Sequence, residues 1–273
     1  MEKYSVLMSL YMKERPEYLE RSIQSMIGQT LKPDEIVIVR DGPLTPELES
    51  VLHRYLTAYP GLFHIVELKE NRGLGAALNY GLEHCRNELV ARMDTDDIAK
   101  PYRCEKQIRY FQSHKNTSIL GGQIEEFMGS EDNIVGKRVV PETDTELKNY
   151  MKKRCPFNHM TVMFKKSHVL EAGSYRDWFW NEDYYLWIRI AIKKYEFANL
   201  PDILVNARVG ADMYQRRGGK KYFKSEMAIQ KFMLRKKLIR PIRYALNVGE
   251  RAIVELLLPN NIRSWVFRRF ARQ

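Results

Sequence analysis

Apolar residues recur along the first hundred positions in two patterns, short strand-like runs and longer segments with helical spacing. The short runs are partly β-branched and predict buried strands at Val6–Leu10, Ile36–Val39, Phe63–Leu68 and Glu88–Met93. The longer segments repeat apolar residues three or four positions apart and predict helices at Glu17–Ile27, Pro46–Tyr59 and Gly75–Cys85. This alternation indicates an α/β fold with a right-handed, mostly parallel sheet.

Three polar residues closely follow predicted strands. Tyr11 comes after the first strand, Asp41 after the second and Asp94 after the fourth. In open α/β sheets, ligands bind beyond the carboxyl ends of the strands. We therefore expect these three side chains to border one ligand site at that edge of the sheet.

The later part of the chain is less regular. Strand-like runs occur at Ser118–Gly122 and Thr161–Phe164, and a helix is predicted to begin near Glu182. From about Phe223 onward the sequence is predicted to be helical and basic. We therefore divide the chain into a main domain at 1–213 and a basic helical extension at 214–273.

Charge separates these two parts. Residues 214–273 contain 16 Lys and Arg and 3 acidic residues, a net charge of +13, whereas the first 213 residues carry a net charge of −2. The extension also contains an apolar stretch at 252–258 and the aromatic residues Trp265, Phe267 and Phe270. Basic helices with apolar faces are typical of proteins that lie on an anionic membrane surface. A helical cap docked on the main domain is the alternative interpretation.

Composition narrows the class of protein. Hydrophobic residues make up 44% of the chain and charged residues 29%, as in ordinary globular proteins. No apolar run reaches the ~18 residues of a transmembrane helix, and the acidic Glu2 does not suit a signal peptide, so we expect a cytoplasmic protein. Cys85, Cys104 and Cys155 are scattered, which argues against a disulfide framework or a structural zinc site.

The densest group of carboxylates lies in Met93–Asp97, at the end of the fourth predicted strand. Asp94, Asp96 and Asp97 repel one another unless a cation or hydrogen-bond donors intervene. Hard divalent ions such as Mg²⁺ or Mn²⁺ prefer oxygen ligands and commonly bridge carboxylates to substrate phosphates. A solvated acidic turn is the alternative, and the strand-end position favours a metal site.

The segment Asn71–Asn79 places small residues at the start of a predicted helix. Such a helix start lets backbone N–H groups approach an anion. The segment has neither the GxGxxG pattern of a dinucleotide site nor the Lys-Ser/Thr of a P-loop. Close packing of the helix on the sheet is an equally good interpretation.

Two acidic residues, Glu182 and Asp183, open the helix predicted near residue 182. Aromatic residues flank them in the sequence, namely Trp178, Phe179, Trp180, Tyr184, Tyr185 and Trp187. Aromatic walls suit sugar rings, and desolvation raises the pKa of a carboxylate toward the range of a general base. Capping of the helix dipole is the alternative. His159 is a further candidate for a ligand or acceptor contact, although an isolated His is more often structural.

In their order along the chain, these segments resemble the motifs of the family 2 glycosyltransferases, particularly bacterial enzymes that build capsular, exopolysaccharide or O-antigen repeat units. The similar segments are Ser9–Leu19, Val37–Gly42, Asn71–Gly73 with Asn79, Asp94–Asp97 and Glu182–Trp187. The sequence departs from the family at Arg40–Pro43, where Asp-Asp-Gly-Ser is commoner. The Gln-x-x-Arg-Trp motif of processive synthases is absent, so one sugar per encounter is expected.

The resemblance implies a GT-A fold with a donor-nucleotide half at about 1–97, an acceptor half at 98–213 and the basic extension beyond. It implies Asp183 as the catalytic base and Asp96 as a ligand of Mn²⁺ or Mg²⁺. The residues it places at the substrates are Tyr11 and Asp41 at the nucleotide base, Glu14 as a weaker contact, Arg72 near base or phosphate, Asp94 near the ribose, and Glu182, His159 and Trp180 as further substrate contacts.

The expected reaction is an inverting, metal-dependent transfer of one sugar from a nucleotide-diphosphate donor, with UDP favoured. The expected acceptor is a saccharide or a lipid-diphosphate-linked oligosaccharide at the anionic inner face of the cell membrane. A nucleotidyltransferase is the alternative enzyme, but Tyr11–Glu14 does not provide its Gly-rich basic loop. A lipid-binding module leaves the acidic triplet without a purpose. No nucleic-acid partner is expected, because the main domain is slightly acidic and carries no such motif.

Overall fold

The computed structural model describes residues 2–210 and 219–254. The strands in this part of the chain are β1 (Tyr4–Leu10), β2 (Glu35–Asp41), β3 (Phe63–Leu68), β4 (Leu89–Arg92), β5 (Ile98–Ala99), β6 (Thr117–Phe127), β7 (Ile134–Arg138), β8 (Met163–Lys165) and β9 (Glu196–Arg208). The helices are α1 (Pro16–Ile27), α2 (Pro46–Ala58), α3 (Leu74–His84), α4 (Arg103–Ser113), α5 (Asp144–Met151), α6 (Lys166–Glu171), α7 (Glu182–Ile192), α8 (Lys220–Arg235) and α9 (Pro241–Ala252). A 3₁₀ turn spans His159–Thr161.

These strands form one sheet in the order β3-β2-β1-β4-β8-β6-β9-β5, with β7 paired to β6. The first four strands of that order are parallel, so that Val6 lies between Ile36 and Ala91. β8 runs antiparallel to both β4 and β6, while β6 and β9 are parallel again. The predicted α/β fold is confirmed. Its parallel part is the β3-β2-β1-β4 half, and the sheet is mixed beyond β4.

Helices cover both faces of the sheet, because the central strands are apolar on both sides. In β1, Val6, Met8 and Leu10 pack into one core cluster with α1, α2 and α4. Leu7 points to the opposite face and packs with α3, α5 and α7. Gly81 lets α3 approach closely, since a Cβ at this position would lie 2.5 Å from Leu7 Cδ1.

Three strands of the second half, β6, β8 and β9, differ from the sequence prediction. The run at Ser118–Gly122 is part of the eleven-residue strand β6. The thirteen-residue β9 has no counterpart in the prediction, because Pro201 interrupts its apolar pattern. Pro201 lies where the register between β6 and β9 shifts, which is a place where a strand tolerates a missing N–H. The strand predicted at Thr161–Phe164 begins only at Met163.

The described part of the basic extension consists of two helices joined by a turn at 236–240. α8 docks on the main domain through the buried side chains of Ser225, Ile229 and Met233, and α9 packs against α8. The predicted features at 214–218 and 255–273, including Trp265, Phe267, Phe270 and their neighbouring arginines, lie outside the described residues. Within residues 2–210 and 219–254, no helix combines the length and apolar character needed to cross a bilayer.

Candidate active site

The loops that follow β1, β2, β3 and β4 meet at the carboxyl edge of the parallel strands, as their common direction requires. The acidic turn after β4 is the most charged of them. Carboxylate oxygens of Asp94, Asp96 and Asp97 all lie within 4.8 Å of one another. Asp97 is buried, whereas Asp94 and Asp96 are half-buried. The turn therefore presents two carboxylates toward the site and holds the third inside.

Burial and mutual repulsion raise the pKa of these acids. Burial, followed by the charges of Asp94 and Glu14, raises the pKa of Asp96 to about 7. Burial and the neighbouring Asp96 and Asp94 raise the pKa of Asp97 well above its usual range. Crowded carboxylates of this kind are stabilised by a bound hard cation, because its charge offsets their repulsion. The donor set therefore fits Mg²⁺ or Mn²⁺.

Three hydrogen bonds from two elements, β9 and α1, fix the acidic turn. The backbone N–H of Arg208, at the end of β9, donates to Asp97 Oδ1 over 2.7 Å. The Arg208 Nε donates to the Asp96 carbonyl over 3.0 Å, and Ser22 Oγ in α1 donates to the Asp94 carbonyl over 2.7 Å. The backbone of the turn is thus held from both halves of the molecule, and Asp97 belongs to this support.

Glu14 connects the loop after β1 to the same turn. Its Oε2 accepts a hydrogen bond of 2.6 Å from Thr95 Oγ1, and its Oε1 accepts one of 2.9 Å from the Arg15 N–H. Burial raises the pKa of Glu14. Tyr11, three residues earlier, is 40% exposed. The predicted contact residues Tyr11 and Glu14 therefore lie beside the acidic turn, with Glu14 engaged in holding it.

Asp41 uses both carboxylate oxygens to hold the loop after β3. Its Oδ1 accepts from the Arg72 N–H over 2.7 Å, and its Oδ2 accepts from the Gly73 N–H over 3.0 Å. The two loops approach so closely at Gly42 that a Cβ there would lie 2.7 Å from the Asn71 nitrogen. Gly42 has φ +85°, which glycine adopts without strain. The structure therefore brings Asp41 and Arg72 together, as predicted, and leaves the Arg72 side chain exposed.

Glu182 and Asp183 form the first turn of α7, and both are half-buried. Burial, together with Asp183, raises the pKa of Glu182 to about 7. Burial also raises the pKa of Asp183, and the Cys155 thiol opposes this by donating to Asp183 Oδ2 over 3.3 Å. Gly75 in the first turn of α3 allows the start of α7 to pack closely against it, since a Cβ at this position would lie 3.2 Å from Glu182 Cβ. The small residue predicted at the α3 start thus serves helix packing.

The aromatic residues around Asp183 divide into two groups. Tyr184 and Trp187 are buried core residues and form no wall of an open site, contrary to expectation, because a helix turns these positions toward the sheet. Trp180 is 45% exposed and has a positive φ of 59°. Its ring stacks on Phe179 with centroids 5.4 Å apart. Trp180 therefore remains a candidate sugar contact.

His159 lies in the 3₁₀ turn and pairs with a tyrosine. Its Nε2 is 3.0 Å from the Tyr175 hydroxyl, and its ring packs 6.0 Å from the Trp187 ring. Burial, followed by the charge of Arg92, lowers the pKa of His159 well below its usual range. A neutral imidazole in this setting favours a positioning role over contact with a phosphate.

Arg92 is a residue of the site that sequence reasoning missed. It is only 1% exposed and forms an ion pair with Asp94. Burial disfavours its charge, but Asp94 more than offsets this and the pKa of Arg92 is raised. An arginine inside the apolar run Leu89–Met93 is the signal that points to it, since a buried cation needs a carboxylate partner.

The acidic turn at the edge of a parallel sheet, facing a carboxylate pair at a helix start, defines a GT-A-type glycosyltransferase. The family model of "Glycosyl transferase family 2" matches residues 5–179. The chain therefore belongs to glycosyl transferase family 2 and is a glycosyltransferase.

Two relatives match almost the whole chain. The amylovoran biosynthesis glycosyltransferase AmsE of Erwinia amylovora is 42% identical over 93% of this chain and 94% of its own. The UDP-Gal:alpha-D-GlcNAc-diphosphoundecaprenol beta-1,3-galactosyltransferase of Escherichia coli is 36% identical over 99% of this chain and 97% of its own. Among solved structures, the mannosyltransferase PcManGT of Pyrobaculum calidifontis, in complex with GDP-Man and Mn²⁺, has a TM-score of 0.65 at 17% identity. That match covers 96% of this chain and 71% of the other and shows the shared fold.

Proposed function

We propose that this enzyme transfers one sugar, with inversion and with the help of a divalent metal, from a nucleotide-diphosphate donor to a lipid-diphosphate-linked saccharide. UDP is the favoured nucleotide, and bacterial surface polysaccharide is the product. The support comes from the site geometry and from the relatives. The name of the E. coli relative states a UDP-sugar donor and a diphosphoundecaprenol-linked acceptor, and that of AmsE states exopolysaccharide biosynthesis.

The observation that carries the proposal is that the acidic turn and the carboxylate pair of α7 lie at the same edge of the sheet. The acidic turn follows β4, and Asp41 at the end of β2 holds the Gly73 N–H just before α3. A Cβ at Gly75, in the first turn of α3, would lie 3.2 Å from Glu182 Cβ, so the start of α7 packs at this edge. A metal-binding group and a base within a single site are what glycosyl transfer requires.

Asp96 is the residue that would hold the metal, and Asp94, whose carboxylate lies within 4.8 Å of it, is proposed to lie near the ribose. The ion, when bound, supplies positive charge that stabilises a diphosphate leaving group. Asp97 keeps the turn in place through the Arg208 backbone, and Arg92 fixes Asp94 by their ion pair. The chain thus provides an ordered pair of carboxylates rather than a flexible acidic loop.

Asp183 acts as the general base. Its carboxylate takes the proton of the acceptor hydroxyl while that oxygen forms a bond to the anomeric carbon, and the bond from this carbon to the diphosphate breaks. Attack from the side opposite the leaving group inverts the configuration. The thiol of Cys155 donates to Asp183 Oδ2 over 3.3 Å and so orients the carboxylate.

The nucleotide is proposed to lie over the loops after β1, β2 and β3. The Arg72 side chain, held at its backbone by Asp41, provides a cation for base or phosphate, and the exposed Tyr11 ring provides a stacking surface. Trp180 is proposed to contact the sugar rings. The enzyme is further proposed to work at the inner face of the cell membrane, where a lipid-linked acceptor is presented.

A thermal-shift panel tests the proposed donor and metal. Wild type, Asp96→Asn and the control Asp132→Asn, which alters an exposed acid outside the site, are melted with UDP-, GDP- and dTDP-sugars with and without Mn²⁺. Ligand at about 100 times its Kd stabilises the folded state by ~2.7 kcal/mol. We expect a Mn²⁺-dependent rise in Tm with UDP-sugars for wild type and Asp132→Asn, and none for Asp96→Asn. Absence of any shift in wild type would contradict the proposal.

A further inference from the structure

Helix α9 turns its polar residues toward the protein. Asn247 is 2% exposed, and its Nδ2 donates to the Lys152 carbonyl over 2.7 Å and to Gln230 Oε1 over 2.8 Å. Arg251, one turn later, pairs with the buried Glu226 over 2.8 Å. These contacts attach α9 to the protein by hydrogen bonds and an ion pair.

The opposite face of α9 is apolar and open to solvent. Ile242, Leu246 and Ile253 are 68%, 54% and 54% exposed. Their spacing of four and seven positions places them on one side of the helix; together they are called the apolar stripe. A surface helix of a globular protein normally buries such a stripe and exposes its polar side. Within residues 2–210 and 219–254 nothing covers the apolar stripe, and an exposed apolar patch of this kind is typical of a docking surface.

Four exposed cations lie at the start of α9 and in the turn before it. This basic cluster consists of Lys236, Lys237, Arg240 and Arg243. No carboxylate within residues 2–210 and 219–254 forms an ion pair with any of the four. Cations that form no such ion pair lie beside an exposed apolar stripe. Together they are complementary to a partner whose outer layer is negatively charged and whose interior is apolar.

We propose that α9 lies in the interface of an anionic lipid bilayer, with the apolar stripe among the acyl chains and the basic cluster at the lipid phosphates. A second copy of the chain is the alternative occupant, but it would leave the basic cluster without an anionic partner, whereas the lipid phosphates provide one. The inference rests on the proposed function in one respect, namely that a lipid-linked acceptor is reached from a membrane surface.

Two short routes connect α9 to the catalytic base. On the first, Asn247 and Arg251 of α9 donate to the carbonyls of Lys152 and Lys153. Cys155 follows shortly after in the chain, and its thiol donates to Asp183. On the second, α8 beneath it reaches the start of α7. Ser225 Oγ donates to the Phe179 carbonyl over 2.6 Å and accepts from Asn181 Nδ2 over 3.1 Å. Docking of α9 therefore sets the position of the acceptor half relative to the bilayer.

Vesicle flotation of the full chain tests the surface directly. The proteins are wild type, the triple variant Ile242→Ser/Leu246→Ser/Ile253→Ser, and the quadruple variant with glutamine at the basic cluster. A matched control replaces three exposed apolar residues elsewhere, namely Leu56, Leu170 and Ile192, with serine. Near-UV circular dichroism and melting curves confirm folding of each. The vesicles are phosphatidylcholine alone or with 30% phosphatidylglycerol.

We expect wild type and the matched control to float with the anionic vesicles and not with the neutral ones. The quadruple variant is expected to lose on the order of 100-fold or more in partition, at ~1 kcal/mol for each cation, and the triple variant to lose binding comparably. Unchanged flotation of a folded triple variant would overturn the proposal, as would a wild type that dimerises through this face and does not float.

An activity assay separates this inference from the proposed function. Transfer is measured to a water-soluble short-chain alkyl-diphosphate saccharide and to a long-chain polyprenyl-diphosphate saccharide in anionic vesicles. Both variants are expected to keep wild-type rates with the soluble acceptor and to lose rate with the embedded one. Wild type that floats but transfers to neither acceptor contradicts the proposed function alone. Equal rates of all variants with the embedded acceptor contradict the role of α9.

Discussion

Substitution of Asp41 by asparagine separates loop positioning from direct nucleotide contact. In the wild type, the two carboxylate oxygens accept the Arg72 and Gly73 N–H groups over 2.7 and 3.0 Å, and Asp41 is 3% exposed. Asparagine keeps one acceptor oxygen. Its NH₂ group would face the second backbone N–H, and two donors form no hydrogen bond with each other. Loss of one buried hydrogen bond to a charged group costs about 1.5–3 kcal/mol. We expect the free energy of unfolding to fall by that amount and Tm to fall by roughly 3–9 °C.

Urea unfolding and nucleotide titration are then measured on the same Asp41→Asn protein at a temperature where it is fully folded. We expect UDP to bind more weakly as well, because the loop that carries Arg72 is no longer held. Asp132→Asn, an exposed acid in the β6–β7 hairpin, serves as the control and should change neither quantity. An Asp41→Asn protein of unchanged stability would refute the loop-positioning role. A destabilised protein with unchanged UDP affinity would show that Asp41 and its loop are not part of the nucleotide site.

Three further predictions concern the carboxylates. Asp183→Asn is expected to keep donor affinity within about twofold and to lower kcat by at least 10²-fold; single-turnover kinetics with a separate binding titration check this, and parallel loss of both would count against a base. Cys155→Ala removes a donor that lowers the pKa of Asp183, so the acidic limb of the kcat profile should move to higher pH, with Cys155→Ser restoring it. An unmoved limb would exclude that contact. The pKa of Asp96, raised to about 7, gives the metal-free protein a stability contribution that is fully present below the unfolded pKa of ~3.9. Stability attributable to this group is lost as pH rises toward 7, by at most about 4 kcal/mol. Urea titrations should show this trend without Mn²⁺ and its reduction with Mn²⁺, and a pH-independent stability would contradict it.

The first half of the fold is readable from sequence because each element there is local and regular. Val6–Leu10 is apolar apart from Ser9, Ile36–Val39 is entirely apolar, and the two runs lie within β1 and β2. β9 is different, since Pro201 lies within it and the strand is defined by its pairing with β6 across about eighty residues of sequence. Pairing over such a separation leaves no periodic signal in either strand.

The candidate site divides in the same way. Asp94, Asp96 and Asp183 stand out because carboxylates cluster in short motifs. The roles of Arg92 and Cys155 depend on contacts from other elements. Neither a single arginine in an apolar run nor a single cysteine after three basic residues indicates its partner. The partners of Asp41 are likewise backbone N–H groups thirty residues away. Tyr184 and Trp187 were placed wrongly, because the orientation of α7 on the sheet decides which aromatic residues face the site.

The most direct test of the central claim is the stereochemistry of the product. Purified enzyme is incubated with UDP-galactose, Mn²⁺ and a GlcNAc-diphosphate lipid acceptor, the chemistry named for the E. coli relative, and the new linkage is examined by NMR. Because the donor carries an α linkage, the account predicts a β-linked product formed by wild type and absent with Asp183→Asn. An α-linked product, or undiminished transfer by Asp183→Asn, would contradict an inverting reaction with Asp183 as its base.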